Sequence, residues 1–216
     1  MNSLVEENYL KALFTLSGGS GEVNVNDLSK HLAIKMPTVT SMMKKLAGRK
    51  LVHYESYKPL RLTEHGKMEA GLIIRKHRLT EMFLVEKMGF GWEEVHEIAE
   101  QIEHIKSVEL FDKMDQLLGF PKIDPHGSPI PDKQGRILPN EHISLSDCKA
   151  GDKVRFTAVY NSSDDFLKFL NSRKLRLGTE LTVLSIETFD RSMVVSYPSH
   201  PSETLSHTVC ERLLVE

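Results

Sequence analysis

The chain contains 216 residues, of which 40% are hydrophobic and 27% are charged, and its formal net charge is −2. This composition supplies a buried core and excludes an intrinsically disordered chain. No apolar stretch approaches the ~20 residues that a membrane-spanning helix needs, and the two cysteines exclude a disulfide scaffold.

The charge is unevenly distributed along the chain. Residues 1–76 carry a net charge of +5, residues 77–150 carry −6 and residues 151–216 carry −1. A basic first third beside an acidic middle third favours an anionic partner for one and a cationic partner for the other. The start of the chain is acidic and lacks the pattern of a signal peptide, so we expect a cytoplasmic protein.

Helical spacing of apolar residues predicts five helices before the middle of the chain. They are expected near 1–17, 27–32, 37–49, 64–88 and 92–118. Asn24 or Asn26 can cap the second helix, and Pro37 suits the first turn of the third. Residues 52–63 have the loose alternation that is typical of a hairpin.

Proline marks the main boundary in the sequence. Five of the nine prolines fall between residues 121 and 139, which predicts a proline-rich linker over 121–142. Beyond it, four strands are predicted at 153–160, 180–187, 192–197 and 203–209, with a short helix at 164–172. Several short strands within ~70 residues favour a small β-barrel.

Three short helices followed by a hairpin is the order of a winged helix-turn-helix, whose third helix enters the DNA major groove. The predicted DNA contacts are small polar or basic residues of that helix and basic residues of the hairpin: Pro37, Thr38, Thr40, Ser41, Lys44, Lys45, Lys58 and Arg61. Hydroxyls bond to base edges or phosphates, and lysines neutralise phosphates. The alternative is that these lysines form an ordinary solvated helix face.

The acidic third carries a pattern typical of a metal site. His96, Glu100, Glu103 and His104 share one face of a predicted helix, and His77 and Glu81 form a second pair one turn apart on the preceding helix. Residues 92–105 contain five glutamates and no lysine or arginine to compensate them. Imidazole and carboxylate ligands suit Mn²⁺, Fe²⁺, Co²⁺ or Zn²⁺. The alternative is a solvated acidic surface.

The segments that carry these residues resemble one known family. Residues 75–81 with the His96 to His104 pattern, together with residues 6–11 and 36–41, resemble the diphtheria toxin repressor and manganese transport regulator family of metal-dependent repressors. The resemblance extends over essentially the whole chain. It implies a mainly α fold with a small β-barrel. The implied domains are a winged helix-turn-helix DNA-binding domain (1–70), a helical dimerisation and metal-binding domain (71–120), the linker, and a C-terminal SH3-like (FeoA-like) domain (143–216).

The resemblance also implies two metal positions. An ancillary position would use His77, Glu81 and His96, with Asp124 and His126 of the linker and Asp165 of the C-terminal domain as further ligands. The activating position would use Glu100, Glu103 and His104 with Asn8 of the first helix. Glu100 stands where iron-type members carry cysteine, which favours Mn²⁺ with Fe²⁺ as the alternative. Lys11 stands where some manganese-type members carry a carboxylate.

The function implied is a transcriptional repressor that binds double-stranded operator DNA as a homodimer when loaded with Mn²⁺ or Fe²⁺ and controls metal-uptake genes. It would need neither a membrane nor a small organic substrate. One alternative is an iron-type regulator of the same family. Another is a metallohydrolase, although no phosphate loop or nucleophile is evident. A winged-helix regulator that senses a small organic ligand is the third alternative.

Overall fold

The computed structural model describes residues 2–18, 21–137 and 142–216. Within them the chain forms two compact units whose segments alternate along the sequence. The first unit contains the residues up to Thr80, Ile98–Lys122 and the segment that begins at Ile130. The second contains Glu81–Glu97, Ile123–Pro129 and the C-terminal part of the chain to Glu216. The acidic middle third therefore contributes residues to both units.

Six helices precede the linker. They are α1 (Leu4–Ser17), α2 (Val25–His31), α3 (Met36–Gly48), α4 (Glu64–Met88), α5 (His96–Ile102) and α6 (Val108–Leu117). Ser3 and Glu6 form a reciprocal capping box that starts α1. The prediction of one helix over 92–118 is wrong, because the chain leaves the helix after Ile102. The Ser107 hydroxyl then caps α6 by accepting a bond from the Leu110 amide.

The first unit has the order expected of a winged helix. Strands β1 (Val52–His53) and β2 (Arg61–Leu62) pair antiparallel, so the predicted hairpin is confirmed. Its core is built from apolar residues of α1, α3 and the hairpin, among them Tyr9, Leu10, Leu13, Val39, Met43, Leu46, Leu51 and Leu60. Val39, Met43 and Leu46 of α3 are therefore buried, Met42 is partly buried, and the opposite side of α3 is left to solvent.

The second unit is built on a six-stranded antiparallel sheet. Its strands are β3 (Ile143–Ser144), β4 (Lys153–Val159), β5 (Glu180–Ile186), β6 (Met193–Tyr197), β7 (His200–Leu205) and β8 (Leu213–Val215). The strand order is β3-β8-β4-β5-β6-β7. In this part of the chain β3 and β7 are edge strands, so hydrogen bonding does not close the sheet into the predicted barrel.

Two helices accompany this sheet. Helix α7 (Asp164–Ser172) has the bounds that the sequence predicts, and Ser163 caps it. The predicted strand over 203–209 is wrong in its second half, because Ser206 caps a short helix, α8 (His207–Cys210). One apolar core includes Phe156, Leu170, Val195 and both cysteines.

The predicted linker is ordered by turns up to residue 137, and its residues 138–141 lie outside the described part of the chain. A bridge between Ile123 and Pro129 closes its first turn. No helix among the described residues combines the length and the apolar content that crossing a membrane requires.

Candidate metal centre and DNA-binding surface

The outward side of α3 is polar and accessible. Pro37, Thr38, Ser41, Lys44 and Lys45 are exposed, and Thr40 is half-buried. Val39 and Met43 on the opposite side are completely buried. The helix is thus anchored by its apolar side and presents hydroxyls and ammonium groups to solvent, as a major-groove helix requires.

The hairpin adds a second basic element to the first unit. Lys58 and Arg61 are both exposed, and each pairs with a carboxylate: Lys58 Nζ lies 2.8 Å from Glu55 and Arg61 contacts Glu22. Tyr57 stands fully exposed at the tip, with a backbone φ of 66°. The sequence analysis did not select Tyr57, although an aromatic residue beside a basic proline turn is a signal that could have done so.

A buried carboxylate connects α1 to α3. Glu6 lies 3.3 Å from Lys45 Nζ and 3.0 Å from Arg49 Nη1, and its side chain also accepts a bond from the Ser3 amide. The Ser3 bond and the two cations outweigh burial and lower the pKa of Glu6 to about 2. The Lys45 side chain therefore forms an ion pair with Glu6 within the protein, whereas the Lys44 side chain extends into solvent.

Three sequence-predicted ligands of the first unit, His77, Glu100 and Glu103, meet at Lys11, and we call these four residues the Glu103 cluster. Glu103 is 0% exposed. Its Oε2 atom lies 2.6 Å from His77 Nδ1 and 2.7 Å from Lys11 Nζ. Lys11 also contacts Glu100 and lies 3.1 Å from His77 Nδ1. The lysine comes from α1, the histidine from α4 and Glu100 from α5.

One further predicted ligand, His104, lies beside this cluster. His104 Nε2 is 3.7 Å from Glu103 Oε1, and His104 Nδ1 is 2.7 Å from Glu7 Oε2. Glu7 also pairs with Lys106. The sequence analysis did not select Glu7, which is buried; its position one residue before Asn8 was the available signal.

Four buried oxygen atoms of the first unit have no hydrogen-bond partner among the described residues. Two belong to predicted ligands, Oε1 of Glu103 and Oδ1 of Asn8, and the other two are Oδ1 of Asn2 and the Tyr9 hydroxyl. A buried acceptor without a donor costs free energy, and native structures retain few of them. A bound cation is one kind of partner that would satisfy the lone pairs of Glu103 and Asn8. By donor type, Asn8, Glu103 and His104 suit a divalent metal of the Mn²⁺ and Fe²⁺ type.

The second unit contains a separate group of ligands, the Glu81 cluster: Glu81, Asp124 and His126. All three side chains are buried, and one ligand atom of each lies within 4.8 Å of the others. His96 Nδ1 is 3.4 Å from Glu81 Oε1. Asp165 is exposed in the first turn of α7 and is not a member of this cluster.

The geometry of His126 prepares it for a cation. Its Nε2 lies 2.8 Å from the Trp92 carbonyl oxygen, which only accepts, so the hydrogen is on Nε2. The Nδ1 atom then faces Glu81, whose Oε2 atom is 3.6 Å away. Burial lowers the pKa of His126, but Glu81 and Asp124 outweigh it and raise the pKa above its ordinary value. These surroundings stabilise positive charge, as a metal site must.

Comparisons with known proteins identify related chains. Residues 2–60 match the model of the iron dependent repressor N-terminal DNA binding domain. Residues 63–132 match that of the iron dependent repressor metal binding and dimerisation domain. The iron-dependent repressor IdeR of Mycobacterium tuberculosis is 28% identical over 234 residues, which cover 100% of this chain and 99% of IdeR.

Solved structures give the same result. A manganese-dependent transcriptional repressor in complex with manganese has a TM-score of 0.88 and 30% identity, covering 97% of this chain and 98% of its own. ScaR with bound Zn²⁺ has a TM-score of 0.81 and 31% identity, covering 98% of each chain. These proteins are repressors, so the metallohydrolase alternative finds no support among them.

Proposed function

The chain belongs to the family of metal-dependent transcriptional repressors, and from this premise we propose that Mn²⁺ activates it to bind operator DNA, with Fe²⁺ as the alternative ion. The observation that carries the proposal is the completely buried Glu103, whose Oε1 atom has no hydrogen-bond partner in the described part of the chain and lies 3.7 Å from His104 Nε2. Its neighbours offer oxygen and imidazole donors, which Mn²⁺ and Fe²⁺ accept.

We assign the activating position to Asn8, Glu100, Glu103 and His104, with His77 at its edge. The Glu81 cluster is the proposed ancillary position, with Glu81, Asp124 and His126 as ligands and His96 beside them. Asp165 remains a proposed further ligand. A divalent cation at these donors would offset carboxylate repulsion and cross-link the helices that carry them.

The first unit contains a path from the activating position to the DNA-binding surface. Asn8 belongs to α1, and Glu6 on the same helix binds Lys45 and Arg49 of α3. A metal ion bound by ligands from α1, α4 and α5 would fix the position of α1. Because Glu6 of α1 pairs with Lys45 and Arg49, the position of α3 would then be restricted as well. Fixing α3 in advance reduces the ordering cost of DNA binding, which raises operator affinity without a new DNA contact.

The proposed DNA contacts are those that the sequence predicts: Pro37, Thr38, Thr40, Ser41, Lys44, Lys45, Lys58 and Arg61. The proposed assembly is a homodimer, because residues 63–132 match the model of a metal binding and dimerisation domain. A two-fold dimer would place two α3 helices about one DNA turn apart, roughly 34 Å or a multiple of it. The functional domains proposed are 1–70, 71–120, the linker 121–142 and an SH3-like domain at 143–216.

The test is DNA retardation with one operator, selected from random-sequence DNA in the presence of Mn²⁺. Binding is compared in chelator, Mn²⁺, Fe²⁺ without oxygen, Co²⁺ and Zn²⁺. We expect retardation in Mn²⁺ but not in chelator, and its loss in Glu103→Gln. Glu109→Gln, the same change at an exposed position of α6, is the matched control. Metal-dependent retardation by Glu103→Gln would refute the assignment of the activating position.

A further inference from the structure

The ammonium group of Lys11 stands among the side chains that the activating position needs. Its Nζ lies 2.7 Å from Glu103 Oε2 and 3.1 Å from His77 Nδ1, and it contacts Glu100 Oε1. The lysine side chain is 17% exposed and that of Glu103 is 0% exposed. The contact with Glu103 is therefore desolvated, unlike a surface ion pair, whereas the Glu100 side chain is 39% exposed.

We propose that Lys11 is an internal competitor of the activating metal ion. Lys11 and a divalent cation require the same carboxylate groups, those of Glu100 and Glu103, so occupancy by one opposes occupancy by the other. The inference rests on the proposed function, because it assumes that these carboxylates bind metal. It adds that α1 carries a residue that sets the metal concentration at which the repressor responds.

Charge explains how the competition works. Two neighbouring carboxylates, one of them fully buried, repel each other unless a positive group lies between them. Lys11 supplies that charge in the structure described here, and it uses one oxygen of each carboxylate. Metal binding must therefore displace an ion pair that is already formed, and the net gain in free energy is smaller than for unpaired carboxylates.

The unpartnered atoms show where a cation would enter. Glu103 Oε2 is occupied by Lys11 and His77, whereas Oε1 of the same carboxylate and Oδ1 of Asn8 have no hydrogen-bond partner. Lys11 thus occupies one oxygen of Glu103, and the second oxygen of that carboxylate has no donor among the described residues. Lys11 and Asn8 lie on the same helix, so movement of α1 would change both contacts together.

A second role for Lys11 predicts the opposite behaviour. If Lys11 only positions the carboxylates for a metal bound at Glu103 Oε1 and Asn8 Oδ1, its removal disorders the ligands and weakens metal binding. A competitor gives tighter binding on removal. The sign of the change in Mn²⁺ affinity therefore separates the two roles.

The experiment uses the full-length protein with Lys11→Met, which keeps a long side chain and removes the charge. Lys67→Met is the matched control, because Lys67 pairs with Glu64 at 2.7 Å on the exposed face of α4. The Mn²⁺ dissociation constant is measured by calorimetric titration, and the melting temperature is measured in chelator and in saturating Mn²⁺. We expect Lys11→Met to bind Mn²⁺ at least tenfold more tightly and to melt at a lower temperature in chelator. Lys67→Met should match the wild type.

Unchanged or weaker Mn²⁺ binding by Lys11→Met would overturn the proposal. If that variant does not fold, amine-reactive labelling of wild-type Lys11 gives a second measurement. Labelling should be slow in chelator and faster in Mn²⁺, and equal or slower labelling in Mn²⁺ would also overturn it. The variant Glu103→Gln distinguishes failure of the proposed metal site from failure of the proposed role of Lys11. If Glu103→Gln still binds Mn²⁺, the metal site itself is refuted. If Glu103→Gln loses Mn²⁺ binding but Lys11→Met does not bind Mn²⁺ more tightly, only the role of Lys11 is refuted.

Discussion

Cys148 and Cys210 lie inside the core of the second unit, and the structure predicts that neither is reactive. Burial raises the pKa of both thiols, that of Cys210 to about 12, so the reactive thiolate is disfavoured at pH 8. We expect iodoacetamide to leave both residues unmodified in the native protein and to modify both in guanidinium. Rapid stoichiometric modification of the native protein would contradict this prediction.

Asn8 gives a second prediction at the scale of the single residue. Its Oδ1 atom is buried without a hydrogen-bond partner, and an amide oxygen is a weaker ligand than a carboxylate. Asn8→Asp should therefore tighten Mn²⁺ binding about tenfold, equivalent to ~1.4 kcal/mol, and Asn8→Leu should weaken it. Calorimetric titration measures both. Two variants with wild-type affinity would show that Asn8 is not a ligand.

The ligand residue types could be selected from the sequence because helical spacing places them on common faces. The pairing within the site could not. Glu7 and Lys11 belong to α1, and their contacts with His104 and Glu103 join residues about 90 positions apart. No local pattern reports such an approach, so a lysine inside the Glu103 cluster was not predicted.

At the scale of secondary structure elements, α4 and the linker make a contact that only glycine allows. A Cβ atom added at Gly71 would lie 1.9 Å from the Gly135 carbonyl oxygen, whereas one added at Gly48 would meet nothing within 4 Å. Gly71→Ala should therefore lower the free energy of unfolding by about 1–3 kcal/mol. Gly48→Ala, the control within a helix, should raise it by up to about 1 kcal/mol. Urea denaturation tests both, and equal stabilities would disprove the contact.

Helix α3 supports a prediction about DNA binding. Lys44 is exposed, in contrast to Lys45, which pairs with Glu6. If Lys44 neutralises one phosphate in each half of a dimer, Lys44→Ala should reduce the slope of log Kobs against log salt concentration by about 2. Fluorescence anisotropy at several salt concentrations measures the slope. Lys67→Ala, on α4, should leave it unchanged, and an unaltered slope for Lys44→Ala would exclude a phosphate contact.

The elements differ in how well the sequence predicts them. Helix α7 was predicted to the residue because a capping serine and two aspartates mark its start. The break between α5 and α6 was missed, because the apolar and acidic residues keep helical spacing through it. Strands β3 and β8 have two and three residues, which is too few for an alternating pattern. They are strands because β8 pairs with both β3 and β4 in the sheet.

At the scale of the whole molecule, contacts between residues far apart in sequence decide to which unit each part of the linker belongs. The Val159 amide donates a hydrogen bond of 2.9 Å to the His126 carbonyl oxygen, within the second unit. A few residues later, the Pro131 carbonyl oxygen accepts a bond of 2.6 Å from Arg75, within the first unit. The proline content predicted an irregular segment here, but composition carries no information about these partners.

The proposed switch makes its strongest prediction for the molecule as a whole, because two ligands that favour the same arrangement must strengthen each other's binding equally. We expect Mn²⁺ to raise operator affinity between about 5-fold and 150-fold, measured by anisotropy in Mn²⁺ and in chelator. Saturating operator should raise Mn²⁺ affinity by the same factor, measured from the paramagnetic resonance of free Mn²⁺. Glu103→Gln should retain weak, salt-sensitive DNA binding through α3 and lose the coupling. Operator affinity that is the same in Mn²⁺ and in chelator would show that the Glu103 cluster does not control the DNA-binding surface.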